Sequence, residues 1–340
     1  MPSVPSPAKA LVTGANGYLG AWLVRTLIEH GYYVRGTVRT LAKGETIREG
    51  LGDLREKFEY VIVEDVLKEG AFDDAVRGMD LVMHTLSPLF LSNKPDDIIP
   101  PAVAGTLNLL QSAQKHRDTV RRVVITGSIC TILAWPTDEP RVYDETLVNE
   151  TSIQAIEEGS VDPVTIYSAA KTQAEKRAWV FMRQQDVTEF DLVYLHGSYF
   201  FGPYSHPLSS TADFGESIRS LHSIVTQGRL INGLLKTGTG WIDVRDIALA
   251  HVLAGQKDEA GGQRIIISAG DCVVGDLNRV AHAMDSSLAE STEDVLLENR
   301  YMFDTSKMRR VLGLKPRSLK ETIRDTLGFF KTVPGSSVAS

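Results

Sequence analysis

Tyr167-Ser-Ala-Ala-Lys171 sets a phenol and an ammonium four residues apart in a stretch that reads as helix. At that spacing both side chains share one helical face. A tyrosine hydroxyl titrates near about 10, so at neutral pH it gives a proton more readily than it takes one. An ammonium beside it favours the tyrosinate, and a lowering by roughly two to three pH units corresponds to about 3–4 kcal/mol. Such a pair can protonate a carbonyl oxygen while hydride arrives at the carbon, and can take the proton back in the oxidative direction. Upstream, the strand-like run Val124-Ile-Thr-Gly-Ser128 ends on a hydroxyl able to hydrogen-bond the same oxygen and polarise it. Ser128, Tyr167 and Lys171 therefore read as catalytic. The hydride itself calls for a nicotinamide, with Lys171 also on its ribose hydroxyls.

A dinucleotide has an obvious place to bind. In Lys9-Ala-Leu-Val-Thr-Gly-Ala-Asn-Gly-Tyr-Leu-Gly20 a short apolar run ends at Thr13 and gives way to glycines 14, 17 and 20. The amphipathic stretch 21–30 follows, closed by Gly31, so the segment reads as strand, tight turn and helix. Gly14 allows the sharp turn, Gly17 clears the approach of a pyrophosphate, and Gly20 is expected to let the helix pack closely on the sheet. The free N–H groups at the helix start attract phosphate. Where an NAD enzyme carries an acid at the end of the second strand, this chain has Val38 followed by Arg39, with Lys43 close behind. Two cations and no carboxylate suit a 2′-phosphate, hence NADP(H).

Elements alternate in the way needed to hold these groups. Strands are expected at Tyr33–Val38, Tyr60–Val66, Leu81–Thr85, Arg122–Thr126 and Asp191–His196, with helices near 45–57, 71–78, 98–116 and 167–185. The fold class is α/β, a doubly wound parallel sheet with ligands beyond the carboxyl ends of its strands. His84, at the end of the fourth strand, reads as a packed core histidine or a base. Cys130 has no evident base partner and reads as a packed thiol.

With 340 residues, 43% hydrophobic and a formal net charge of −7, the chain suits a soluble globular protein and not a nucleic-acid surface. No apolar run approaches the roughly 20 residues of a membrane span. Two cysteines exclude a disulfide framework and a cysteine-rich metal site. The N-terminus lacks the apolar core of a signal peptide, so a cytoplasmic protein is expected.

Together these motifs resemble the extended short-chain dehydrogenase/reductases, in the branch of dihydroflavonol and cinnamoyl-CoA reductases and fungal carbonyl reductases. The likeness covers nearly the whole chain and includes Val34-Arg-Gly-Thr-Val-Arg39, Pro101-Ala-Val-Ala-Gly-Thr-Leu-Asn108 and Trp241-Ile-Asp-Val-Arg-Asp-Ile-Ala248. The resemblance implies a Rossmann domain over residues 8–196 and about 236–256, with a smaller C-terminal substrate lobe from about 197–235 and 257–332. Residues 333–340 are expected to form a disordered tail. It implies cofactor contacts from Thr13, Gly14, Asn16, Gly17, Tyr18, Leu19, Gly20, Arg39 and Lys43. Further contacts are implied from Asp65, Val66, Leu86, Ser87, Tyr167, Lys171, His196 and Gly197. Asp65 would accept from the adenine amino group, though a helix N-cap is an equal reading. The substrate pocket it implies comprises Leu86, Ser128, Ile129, Ile132, Tyr167, Tyr199 and Phe200, with no metal.

Three positions depart from the family pattern. Gly127 stands where relatives often have a serine, Ala104 where many have a polar residue, and His196-Gly197 where Asn-Pro is usual. The function expected is NADPH-dependent reduction of a neutral aldehyde or ketone, by a monomer or homodimer with no nucleic-acid or membrane partner. The competing readings are an NAD-dependent nucleotide-sugar epimerase or dehydratase on the same scaffold, and a non-catalytic NADP-binding redox sensor. Arg39 and the aromatic 199–204 stretch weigh against the first, and the retained Tyr167 and Lys171 against the second.

Overall fold

The computed structural model describes residues 3–87, 92–133, 141–184, 189–228, 239–290, 301–336 and 338. Seven strands form one parallel sheet: β1 (Lys9–Thr13), β2 (Tyr33–Val38), β3 (Phe58–Ile62), β4 (Leu81–His84), β5 (Arg122–Ser128), β7 (Asp191–Gly197) and β10 (Arg264–Ile267). Their order is β10-β7-β5-β4-β1-β2-β3, so the winding reverses between β1 and β4. A crevice at that reversal is where such sheets bind ligands. Alternate residues of each strand enter opposite cores. Ala10 and Val12 pack with one apolar cluster while Leu11 joins another, and Met83 and Val82 divide in the same way.

The first of these clusters takes in helices α1 (Tyr18–Glu29) and α8 (Val244–Gln256), with α2 (Leu41–Gly50) at its edge. The second is closed by α3 (Asp73–Val76), α4 (Pro95–Lys115) and α6 (Pro163–Gln184), with α5 (Glu150–Glu157) against α6. A smaller lobe gathers β8 (Tyr199–Phe201), β9 (Thr239–Asp243) and β11 (Gly270–Cys272) into a second sheet. Helices α7 (Glu216–Gln227), α9 (Val274–His282) and α10 (Leu319–Phe330) cover it through Phe214, Leu221, Leu277 and Phe330. Two short parallel strands, β6 (Arg141–Tyr143) and β12 (Tyr301–Phe303), pair beside it. No described helix is long and apolar enough to cross a membrane.

Element bounds shift where caps decide them. Thr40 accepts from Lys43 N and starts α2 at Leu41, ahead of the expected 45, and residues 52–57 form a separate 3₁₀ turn. Asp162 accepts from Thr165 N at 2.7 Å and starts α6 at Pro163, one turn before Tyr167. Proline at the first helical position has no donor to lose. The third strand ends at Ile62 because β2, its partner, ends at Val38.

The expected domain bounds need correction at three places. Residues 264–267 pair with β7 as the edge of the main sheet, and Met308 and Leu312 enter the main core, although 257–332 had been assigned to the smaller lobe. β9 leaves the expected main domain for the small sheet, pairing with β8 and β11. The start of the expected tail is packed: Val333 and Val338 are buried in the lobe core, and Ser336 O accepts from His222 Nε2 at 2.5 Å.

Candidate active site

The glycine loop leaves β1 with Gly14 at φ +67°, a left-handed turn that favours glycine. Thr37 holds it, accepting from Gly14 N through Oγ1 and from Ala15 N through its carbonyl, both at 3.1 Å. Gly17 caps α1 without a side-chain bond, and the first intrahelical bond comes from Ala21 N. The amides of Tyr18, Leu19 and Gly20 thus have no carbonyl within the helix. That is an anion site in backbone form.

Gly20 serves the loop rather than the sheet, which corrects the expectation. A Cβ there would stand 2.2 Å from Gly14 O. Sequence reasoning missed Gly36 on β2, where a Cβ would stand 2.7 Å from the Cβ of Ala15. The Leu19 side chain is buried in the core. The Tyr18 hydroxyl donates to Gly202 O at 2.7 Å and its ring packs on Tyr204. Both residues therefore offer the loop their amides alone. Asn16 is half-buried beside them.

A cavity of about 270 Å³ runs from Arg39, Asp65 and Val66, past Leu86 and Ser87, to Gly127 and Lys171. Arg39 is exposed and has no hydrogen bond or ion pair among the described residues. Lys43 is exposed on α2 and does not line the cavity. Asp65 accepts from Leu67 N at 2.8 Å, so it closes a turn and borders the cavity at once. Glu64, which the sequence reading passed over, lines the same end. Ala104 does not line the cavity, although Ala102 and Gly105 do. His84 lines the inner end with Nδ1 2.9 Å from Thr13 Oγ1, and burial, with Lys171 adding to it, pulls it down to about 3. It stays neutral at physiological pH and is a packed group, not a base.

Lys171 lines the inner end, and Tyr167, which hydrogen-bonds Ser128, stands one helical turn before it; neither Tyr167 nor Ser128 is among the lining residues. Ser128 is the last residue of β5, and Tyr167 and Lys171 occupy successive turns of α6. Burial pushes the Tyr167 phenol well above its ordinary range, the Cys130 thiol adds to this, and a hydrogen bond with Ser128 opposes it. This corrects the expectation that Lys171 lowers it. Lys171 is itself held below the usual ammonium range by burial, against a rise from Cys130. Tyr167 therefore keeps its proton at neutral pH.

Cys130 belongs to this cluster, which the sequence reading did not foresee. Its N–H donates to Ser128 Oγ at 3.3 Å, and burial raises its thiol despite bonds with Ser128 and Ser168. It is a protonated, packed thiol inside the site.

Other implied residues fall elsewhere. Ile129 and Ile132 are buried with Tyr143, Ile266 and Tyr301, because the 3₁₀ turn at 129–131 aims them beneath the site and not into a pocket. Phe200 packs on Gly197, where a Cβ would stand 2.4 Å from Phe200 Cε1. Tyr199 is half-buried and close enough to raise the Tyr167 titration further. The His196 imidazole is fully buried between β5 and α6 and does not line the cavity. Its neighbour Glu175, 3.2 Å away, is another residue the sequence reading missed. Burial alone would raise Glu175, but His196 and Arg264 hold it far below the carboxylate range. Its place one turn beyond Lys171, on the face of Tyr167, was the available signal.

Residues 10–270 match the model of the NAD dependent epimerase/dehydratase family. The chain is 35% identical to ketoreductase azaE of Aspergillus niger, covering 94% of this chain and 96% of that protein. It is 31% identical to the NADPH-dependent methylglyoxal reductase GRE2 of Saccharomyces cerevisiae, covering 93% and 96%. The crystal structure of yeast methylglyoxal/isovaleraldehyde reductase Gre2 complexed with NADPH superposes with a TM-score of 0.84 at 29% identity, over 95% of this chain and 98% of that one. With this match over most of its length and the glycine loop, Ser128 and the Tyr167–Lys171 pair around one crevice, the chain belongs to the NAD dependent epimerase/dehydratase family, the extended short-chain dehydrogenase/reductases.

Proposed function

We propose that the protein reduces neutral aldehydes and ketones to alcohols with NADPH. One observation carries this reading: Tyr167, a proton donor, hydrogen-bonds Ser128 one helical turn from Lys171, and Lys171 lines a cavity that reaches Arg39, which has no hydrogen bond or ion pair among the described residues. The residues present fit the cofactor. The free amides of Tyr18, Leu19 and Gly20 suit its pyrophosphate, and Arg39 suits a 2′-phosphate. NADPH, when bound, supplies the hydride. Tyr167 gives its phenolic proton to the carbonyl oxygen, and Ser128 donates a hydrogen bond to the same atom. Lys171, one turn further along α6 and lining the cavity, holds the ribose. The groups that bear on Tyr167 are Cys130, Ser128 and Tyr199, none of them cationic. That favours an uncharged substrate, taken up beside Tyr199. Full-length likeness to ketoreductase azaE and to the NADPH-dependent yeast reductase supports the same reading. NADPH oxidation followed across a panel of carbonyls tests it. Turnover of neutral aldehydes or ketones with a preference for NADPH is expected. A strong preference for a keto acid or a sugar nucleotide would overturn the substrate class.

A further inference from the structure

A buried polar chain runs beneath the catalytic helix. His196 lies opposite Gly127 in the β5–β7 register, and its imidazole is 0% exposed. Nδ1 stands 3.0 Å from Thr131 Oγ1 and 3.3 Å from the Ser128 carbonyl oxygen. A carbonyl oxygen only accepts, so Nδ1 carries the hydrogen. Thr131 Oγ1 donates to that same carbonyl at 3.0 Å. On the other side Nε2 is 3.2 Å from Glu175 Oε1, off the line of a hydrogen bond. Glu175 is anchored in turn by Arg264 Nε at 2.7 Å. The ring packs tightly on Gly127, where a Cβ would stand 3.0 Å from His196 Nδ1 and 3.1 Å from Tyr194 Cδ1 and would force the ring to shift.

We infer that His196 is a positioning residue for Ser128, and that Gly127 and His196 act as one unit in which the glycine makes room for the imidazole. Ser128 ends a strand and opens a 3₁₀ turn, so the direction of its hydroxyl follows the peptide plane at that junction. Two donors on its carbonyl, Thr131 and His196, hold that plane. Neither His196 nor Glu175 lines the cavity, and His196 reaches the catalytic pair through Ser128, which hydrogen-bonds Tyr167. Loss of such alignment slows the chemical step more than it weakens binding. The inference rests on Ser128 being the group that binds the carbonyl oxygen.

The test combines His196→Asn, Thr131→Val, Gly127→Ala and Ser128→Ala, singly and in pairs, with kcat, substrate KM and NADPH affinity measured on each. His196→Asn and the near-isosteric Thr131→Val should each lower kcat about tenfold. NADPH affinity should stay within about twofold of wild type, the limit of an additive, distant effect. In the Ser128→Ala background neither change should alter kcat by more than about twofold, because nothing remains to be positioned. Gly127→Ala should lower kcat alone, and added to His196→Asn it should cost no more than about twofold further, because the imidazole it displaces is already gone. Losses that multiply fully onto Ser128→Ala, or a Gly127→Ala loss that multiplies fully onto His196→Asn, would overturn the inference. Thr131→Val carries the same test should His196→Asn fail to fold. Wild-type kcat in Ser128→Ala alone would sink the reading of Ser128, and the role given to His196 with it.

Discussion

Tyr167 keeps its proton because its phenol is packed among Cys130, Ser128 and Tyr199 and loses the water that would stabilise its anion. Tyr167→Phe keeps the ring and removes the donor, so kcat should fall by about 10²-fold or more. NADPH titration should show binding intact, whereas Lys171→Ala should weaken binding and turnover together. Arg39 has no hydrogen bond or ion pair among the described residues, and a charge-assisted contact is worth roughly 1.5–3 kcal/mol, or about 10–150-fold in affinity. NADPH should therefore be preferred, and Arg39→Ala should erode that preference. Equal kcat/KM for NADPH and NADH in the wild type would rule this out. Two histidines make stability depend on acidity. Burial pulls His84 down to about 3, with Lys171 adding to it, and pulls His251 down to about 4 against the bond to Ile247. In the unfolded chain each titrates near about 6.5. As pH falls below that value the unfolded chain takes up protons that the folded one refuses. Stability should drop by on the order of 1–2 kcal/mol per histidine by about pH 5. Urea midpoints at neutral and acid pH measure this, and the acid loss should shrink in His251→Gln.

At the scale of elements, the loop between β1 and α1 shows glycines with different duties. At Gly20 the obstacle is backbone, since a Cβ would meet Gly14 O at 2.2 Å and Gly14 C at 3.0 Å. At Gly17 a Cβ would meet Gly14 O at 3.2 Å and is otherwise open to the crevice. Overpacking of the first kind costs about 1–3 kcal/mol. Gly20→Ala should accordingly lower both the thermal midpoint and NADPH affinity. Gly17→Ala should weaken NADPH binding while leaving the midpoint nearly unchanged. Equal midpoints for the two variants would contradict this division. α6 shows the same economy of placement, since Tyr167, Lys171 and Glu175 recur one turn apart on the face that meets β5 and β7.

Across the whole molecule, β5 carries a structural anchor at one end and the reacting group at the other. Arg122 at its start is 0% exposed. It holds both oxygens of Asp191 at 2.6 and 2.7 Å and the carbonyls of Ala254 and Lys257 at 2.7 and 2.6 Å. Removing one partner of a buried pair costs about 3–5 kcal/mol. Arg122→Ala should lower the unfolding free energy by about that much, while KM for NADPH stays put in the fraction that folds. Side chains of α1 and α8 tie the lobe to the main domain. Tyr18 and Trp22 of α1 donate to Gly202 and Pro203 carbonyls, and Arg245 bridges Asp243 and Asp325.

The glycine loop, the Ser128 strand end and the Tyr167–Lys171 face were legible from the chain alone, because each is a local pattern: a turn that demands glycine, a period of two, a period of nearly four. The same holds for the α/β class, which follows from alternation along the chain. Tertiary structure decided what lies across long sequence separations. Ile129 and Ile132 turned into a core because a 3₁₀ turn, not a strand, follows Ser128. His196 turned away from the crevice because β7 register sets its side. Residues 264–267 joined the main sheet because β7 offered an open edge, which no feature of Arg-Ile-Ile-Ile announces. Cys130 entered the catalytic cluster, and its neighbours' titration followed burial instead of the nearby ammonium. A side chain's electrostatic surroundings are made by chain segments distant in sequence, and only packing brings those segments together.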